Sequence, residues 1–200
     1  MDITHIFSVI EELNEHYCDL WEKVCNIESP TDYKPGVDTV GNVFIQIARQ
    51  QQWAVEVSEQ EKAGNAICIT MNPESPEKPI VFSGHIDTVY PRGSFPAPAV
   101  YRDDQRIYGP GVIDCKGGVV AAVMAMDALM RCGFRKRPVK LIIQTDEETG
   151  STTSNKKTIG FMLEKSKNAV AFLNLEGVQY GTAVLSRKGI LRYRFTVQGK

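Results

Sequence analysis

The chain has 200 residues and a formal net charge of −1, enough polypeptide for one large domain and no basic surplus to draw it to nucleic acid or an anionic membrane. Hydrophobic residues make up 42% and charged residues 24%, the balance of a globular protein with a sizeable core. No apolar run approaches a transmembrane span, the first residues carry no basic-then-apolar leader, and the five cysteines (18, 25, 68, 115, 132) are irregularly spaced, so the expectation is a reduced, cytoplasmic protein without membrane or nucleic-acid partners.

Ile3, Ile6, Phe7, Ile10, Leu13, Tyr17, Leu20, Trp21 and Val24 recur at steps of three and four residues, which predicts an amphipathic helix over residues 3–26. His5 and His16 lie on it, and His16, beside Glu12 and Leu20, reads as solvated or capping, not as a ligand. A turn-rich loop from Glu28 to Gly36 leads to a second helix, about residues 38–51, with Val40, Val43, Phe44 and Ile47 inward. Trp53–Val57 and Ala66–Met71 flank Gly64-Asn65 and are expected to pair as an antiparallel hairpin. After the proline-rich loop 73–79, the apolar run Ile80–Gly84 is a strand that ends by presenting His85 and then Asp87.

Residues 90–98 read as a long surface loop, closed by Arg106–Gly111. Gly117–Cys132 is a helix burying Val119, Val120, Val123, Met124, Ala128 and Leu129, and Gly133 stops it. Val139–Thr145 is a near-continuous apolar run, typical of a central strand covered on both faces. A helix over Thr153–Lys165 and another buried strand, Val170–Leu175, follow. Ala183–Ser186 and Ile190–Gln198 are expected strands; the second alternates Leu191, Tyr193, Phe195 and Val197 with polar residues.

Strands alternating with helices predict an α/β fold, a mixed, mostly parallel central sheet with helices on both faces. In such folds, sites gather at the carboxyl ends of strands. His85, Glu147, Glu148 and Glu176 each follow an apolar strand closely, and Asp114 precedes a helix. One imidazole and several carboxylates from separate elements are costly together unless a cation lies between them. That donor set suits zinc, with cobalt or manganese also compatible. Asp87 can accept the other ring N–H of His85 and fix its tautomer. Of the adjacent Glu147 and Glu148, one can face a metal while the other serves as general base.

Each acid also has a plain reading: Asp87 as a turn former, Asp114 as a helix cap, Glu176 as a surface charge, and Glu147-Glu148 as a solvated loop. Those readings leave the joint pattern unexplained. Gly109-Pro-Gly111 lacks the third glycine of a dinucleotide fingerprint, and Lys116-Gly117 is not a phosphate-binding loop of the nucleotide hydrolases. A two-metal phosphoesterase uses a similar ligand set and stays open.

The segments Ser83-Gly-His85-Ile-Asp87-Thr-Val, Gly109-Pro-Gly-Val-Ile-Asp114-Cys-Lys-Gly-Gly118, Thr145-Asp-Glu147-Glu148-Thr-Gly-Ser151 and Leu175-Glu176 together resemble the zinc-dependent M20 metallopeptidases, especially the glutamate carboxypeptidase type. The resemblance implies a zinc exopeptidase-like catalytic domain with two zinc ions. It implies that His85 and Glu176 bind one ion, Asp114 bridges both, and Glu148 binds the second. Glu147 would be the general base and Asp87 the partner of His85. It also implies a cis peptide between Asp114 and Cys115, with Cys115 a positioned backbone and not a thiolate ligand.

The activity implied is cleavage of a peptide or amide bond next to a free carboxylate, by an exopeptidase, carboxypeptidase or N-acyl amino acid amidase. Small peptides or N-acyl amino acids would be the substrates. The family's full chain is longer; its second half supplies a further histidine and most of a lid and dimerisation domain. Residues 1–189 are therefore expected to be the first part of a catalytic domain, and residues 190–200 the first strand of the lid, entered through Arg187-Lys188-Gly189. A homodimer is expected only for a full-length parent, and reduced or no activity for this chain alone. The alternative is a non-catalytic metal- or partner-binding module derived from the same fold.

Overall fold

Helix α1, Ile3–Cys25, opens on Asp2, whose carboxylate accepts the amide of Thr4 as an N-cap. It buries Val9, Leu13, Tyr17, Leu20, Val24 and Cys25, whereas Ile3 and Phe7 of the expected stripe stand exposed. Helix α2, Lys34–Gln50, begins earlier than its apolar spacing predicts, because Pro35 is accommodated in the first turn, where a missing N–H costs nothing. The remaining elements are β1 Ala54–Ser58, β2 Ala66–Met71, β3 Ile80–His85, β4 Tyr101–Arg102, β5 Ile107–Tyr108, α3 Gly117–Arg131, β6 Val139–Gln144, α4 Lys157–Lys165 and β7 Ala171–Asn174. The computed structural model describes residues 2–178, 181–186, 188–189, 191 and 193–199.

Five strands form one sheet in the order β1-β2-β6-β3-β7, and β4 pairs with β5 in a small hairpin within the long surface loop. The sheet is mixed. β2 runs antiparallel to β1 and β6, while β3 runs parallel to β6 and β7. Ile80 lies opposite Val139 and His85 opposite Gln144, so β3 and β6 end at the same level. That shared carboxyl end is where a site belongs in such a sheet. Ile67, Ile69, Met71, Leu141 and Ile143 pack with residues of α1, α2 and α3 in the main core. Cys68, Val81 and Ile142 pack with Phe161 and Met162 of α4. Helices therefore cover both faces, as their sequence order requires.

Three further expectations differ from what is observed. The run 170–175 is not a buried strand: β7 has four residues, pairs with β3 at the sheet edge, and leaves Phe172 47% and Leu173 44% exposed. Apolar side chains on both faces look central in a sequence, but none of the described elements covers this edge. Helix α4 starts at Lys157 and not at Thr153, because Asn155 and Lys156 adopt positive φ and interrupt helical geometry. The described residues of the expected strands 183–186 and 190–198 are irregular, with Leu191, Tyr193, Phe195 and Val197 exposed; strand pairing is what holds such segments extended. Arg187, Ile190 and Arg192 of those readings lie outside the described residues. No helix among the described residues is long and apolar enough to cross a membrane.

Candidate metal centre

β3 ends at His85, which is buried beneath the sheet's carboxyl edge. Its Nε2 lies 2.8 Å from Asp114 Oδ1, 3.6 Å from Glu176 Oε2 and 4.0 Å from Glu147 Oε2. Ligand atoms of His85, Asp114 and Glu148 lie within 4.8 Å of one another, and those of His85, Cys115 and Glu176 do likewise. All six residues singled out in the sequence, including Asp87, thus meet at one place. His5 and His16 do not; both are exposed on α1.

Each acid arrives on its own element. Asp114 sits in the loop before α3, and its peptide bond to Cys115 is cis. Glu147 and Glu148 occupy a single turn, Glu147–Thr149, directly after β6. Glu176 follows β7 by two residues. Its approach depends on Gly118 at the start of α3, where an added Cβ would stand 2.1 Å from the Leu175 carbonyl oxygen.

The far side of the imidazole is held by Asp87. Nδ1 is 3.0 Å from the Asp87 carbonyl oxygen and 3.3 Å from its Oδ1. Asp87 is fully buried. Its carboxylate also accepts the Thr31 hydroxyl at 2.7 Å and the amides of Glu147 and Glu148, each at 3.2 Å. One carboxylate thus orients the histidine and fixes the turn that presents two of the acids. Thr31 was not legible from spacing. It is brought in by pairing of the 29–31 segment with Thr88, through Thr31 N to Thr88 O at 3.3 Å and Thr88 N to Ser29 O at 2.9 Å.

Two further side chains make contacts that residue spacing does not assign. Asp146, fully buried, accepts the Ser154 amide at 2.8 Å and the Thr158 hydroxyl at 2.5 Å, tying the turn after β6 to α4. Cys115 accepts the His85 amide at 2.9 Å and points its thiol at the His85 carbonyl at 3.4 Å. Burial pushes the Cys115 thiol pKa up, so the group packs as a neutral thiol against the backbone of the histidine.

The electrostatics are those of crowded acids. Burial, then the Asp114 charge, pushes the Glu148 carboxyl up to about 7. Burial also raises Glu147; the imidazole opposes that rise, while the Glu176 charge adds to it. For His85, burial disfavours the charged ring, but hydrogen bonds with Asp87, Cys115 and Glu176 outweigh it and raise the pKa. A divalent cation would satisfy the same oxygens and the same ring nitrogen. One imidazole with several carboxylates fits zinc, and cobalt or manganese as well.

The family model described as peptidase family M20/M25/M40 matches residues 81–186. The chain is 29% identical to carboxypeptidase G2 of Pseudomonas sp. (strain RS-16) over 186 residues, which are 90% of this chain and 43% of that protein. It is 35% identical to succinyl-diaminopimelate desuccinylase of Gluconobacter oxydans (strain 621H) over 91 residues, which are 44% of this chain and 24% of that protein. Its fold resembles that of human carnosine dipeptidase 1 with a TM-score of 0.71 at 18% identity, over 86% of this chain and 40% of that one. The chain spans less than half the length of each of these relatives.

Proposed function

The chain belongs to peptidase family M20/M25/M40, and on that premise we propose that it forms part of a zinc-dependent hydrolase cleaving a peptide or amide bond next to a free carboxylate. The observation that carries this reading is the convergence of Asp114, Glu176 and Glu147 within 2.8–4.0 Å of one imidazole nitrogen. In it, His85 and Glu176 would hold one ion, Glu148 would hold a second, and Asp114 would serve both. Bound there, zinc supplies Lewis acidity toward an amide carbonyl and acidifies water.

The chain's own residues do the rest. Asp87 keeps the proton of His85 on Nδ1, so that Nε2 faces the carboxylates. Glu147 has a half-exposed side chain and a raised pKa. It takes a proton from the attacking water and returns it to the leaving amine. The relatives, a carboxypeptidase, a desuccinylase and a dipeptidase, favour a small peptide or N-acyl amino acid as substrate. Residues 1–189 are read as part of the catalytic domain and 190–200 as the opening of a lid. A cytoplasmic location and dimerisation of the full-length parent belong to the same proposal.

Metal analysis of the zinc-loaded chain tests this. The expected result is one tightly held zinc, a second held weakly, and little turnover. Failure to retain any divalent cation overturns the proposal, and two tight zincs with full turnover overturn the division of the site.

A further inference from the structure

Lys116 is 1% exposed, although lysine is among the side chains least often buried whole. Its ammonium donates to the carbonyl oxygens of Val24 at 3.0 Å and Ile27 at 2.9 Å. Val24 lies in the last turn of α1, and Ile27 lies just past the helix end. Carbonyls at a helix C-terminus lack partners within the helix and carry its negative dipole end, so a cation there is well placed. One turn earlier, the Trp21 indole N–H donates to the Val112 carbonyl at 3.0 Å. The ring also lies so close to Gly117 that an added Cβ would stand 2.6 Å away. Thus the end of α1 grips the segment 112–117 on both sides of Asp114. Within that segment, the Lys116 amide donates to Gly111 O at 3.1 Å, and the Cys115 thiol contacts the His85 backbone.

Asp114 itself has no such restraint, since its side chain is 61% exposed and its partner in the centre is His85. We infer that the last turn of α1 sets the position of Asp114, with Lys116 and Trp21 as positioning residues of the metal centre. The inference rests on the reading of the centre as a metal site. Lys116 acts through the backbone of the loop, and its ammonium, when protonated, also interacts with Asp87, partly balancing the acids that meet at His85.

The test is zinc affinity by chelator competition, together with the visible spectrum of the cobalt-loaded chain, for Lys116→Met, Trp21→Phe and a remote α1 control, Val9→Ala. Lys116→Met keeps the length of the side chain without its charge and is expected to weaken zinc by about tenfold or more and to change the cobalt bands. Trp21→Phe is expected to weaken zinc less, by about threefold, with the same direction of spectral change. Lys116→Arg, which retains a donor cation, should recover part of the loss. Val9→Ala lowers stability without moving either readout. Unchanged affinity and spectrum in Lys116→Met overturn the inference while leaving the metal centre intact. If Lys116→Met does not fold, an unchanged Trp21→Phe protein overturns it instead. Failure of the unaltered chain to bind zinc or cobalt overturns both the inference and the reading beneath it.

Discussion

The buried carboxylate of Asp87 stands 3.3 Å from Nδ1 of His85 while accepting the amides of both Glu147 and Glu148. Orientation of the ring and placement of the acidic turn are therefore one structural fact, not two. A partner of this kind raises ligand basicity and fixes the tautomer.

Asp87→Asn should weaken zinc binding by about 10–100-fold while the protein stays folded, because the amide fills the same space but cannot accept all four donors. Asp87→Ala should also lower stability, by about 1–3 kcal/mol for each buried donor left without an acceptor. Chelator competition and urea denaturation measure the two effects separately. Equal zinc affinity in Asp87→Asn and the unaltered chain would show that the ring needs no such partner.

Metal binding should weaken as the pH falls. The Glu148 carboxyl is pushed up to about 7, and the His85 pKa is also raised, so both hold protons that a cation must displace. Fewer of those protons are present at higher pH, hence affinity rises with pH. The expected slope is about tenfold per pH unit for each displaced proton. Zinc titrations between pH 6 and 8 in buffers of different ionisation heat read both the slope and the proton release. Glu148→Gln should flatten the profile, and a flat profile in the unaltered chain would refute the assignment.

In a longer parent with measurable turnover, Glu147→Gln should lower kcat by about a hundred- to ten-thousandfold with zinc content unchanged. The neutral amide keeps the shape but cannot take a proton from water. Loss of zinc in step with loss of turnover would make Glu147 a ligand, not a base.

Much of this centre could be read from the chain because its parts are short motifs at strand ends. His85, Glu147-Glu148 and Glu176 each follow an apolar run, and a parallel register then brings such ends to one edge. What escaped was whatever depends on long-range contact with backbone. Lys116 finds its partners in two carbonyls, and Thr31 reaches Asp87 through the pairing of the 29–31 segment with Thr88. Carbonyls have no residue signature, so neither contact leaves a pattern in the sequence. The misplaced burial of β7 has a different cause. Phe172 and Leu173 mark both faces as apolar, but composition cannot say which elements cover them.

Alkaline conditions should destabilise the metal-free chain through two groups on α1. Burial pushes the Cys25 thiol up to about 12 from an ordinary 9.0. Burial, then Asp127, which accepts the Tyr17 hydroxyl at 3.0 Å, raises the Tyr17 phenol above its ordinary 10.0. The unfolded chain releases these protons first, so between the ordinary and raised values the folded state binds more protons, and stability falls as pH rises. Lys116 acts in the opposite sense. Burial pushes it down to about 8 from 10.5, so the unfolded state binds the extra proton in that interval and stability is gained up to 10.5. The loss from Cys25 and Tyr17 is therefore unopposed by Lys116 above pH 10.5, with a slope of at most about 1.4 kcal/mol per pH unit for each group. Urea midpoints followed by far-UV circular dichroism should drop between pH 10.5 and 12, and less so in Cys25→Ala. A midpoint that holds steady across that range would mean that the α1 interior admits the thiolate and phenolate without cost.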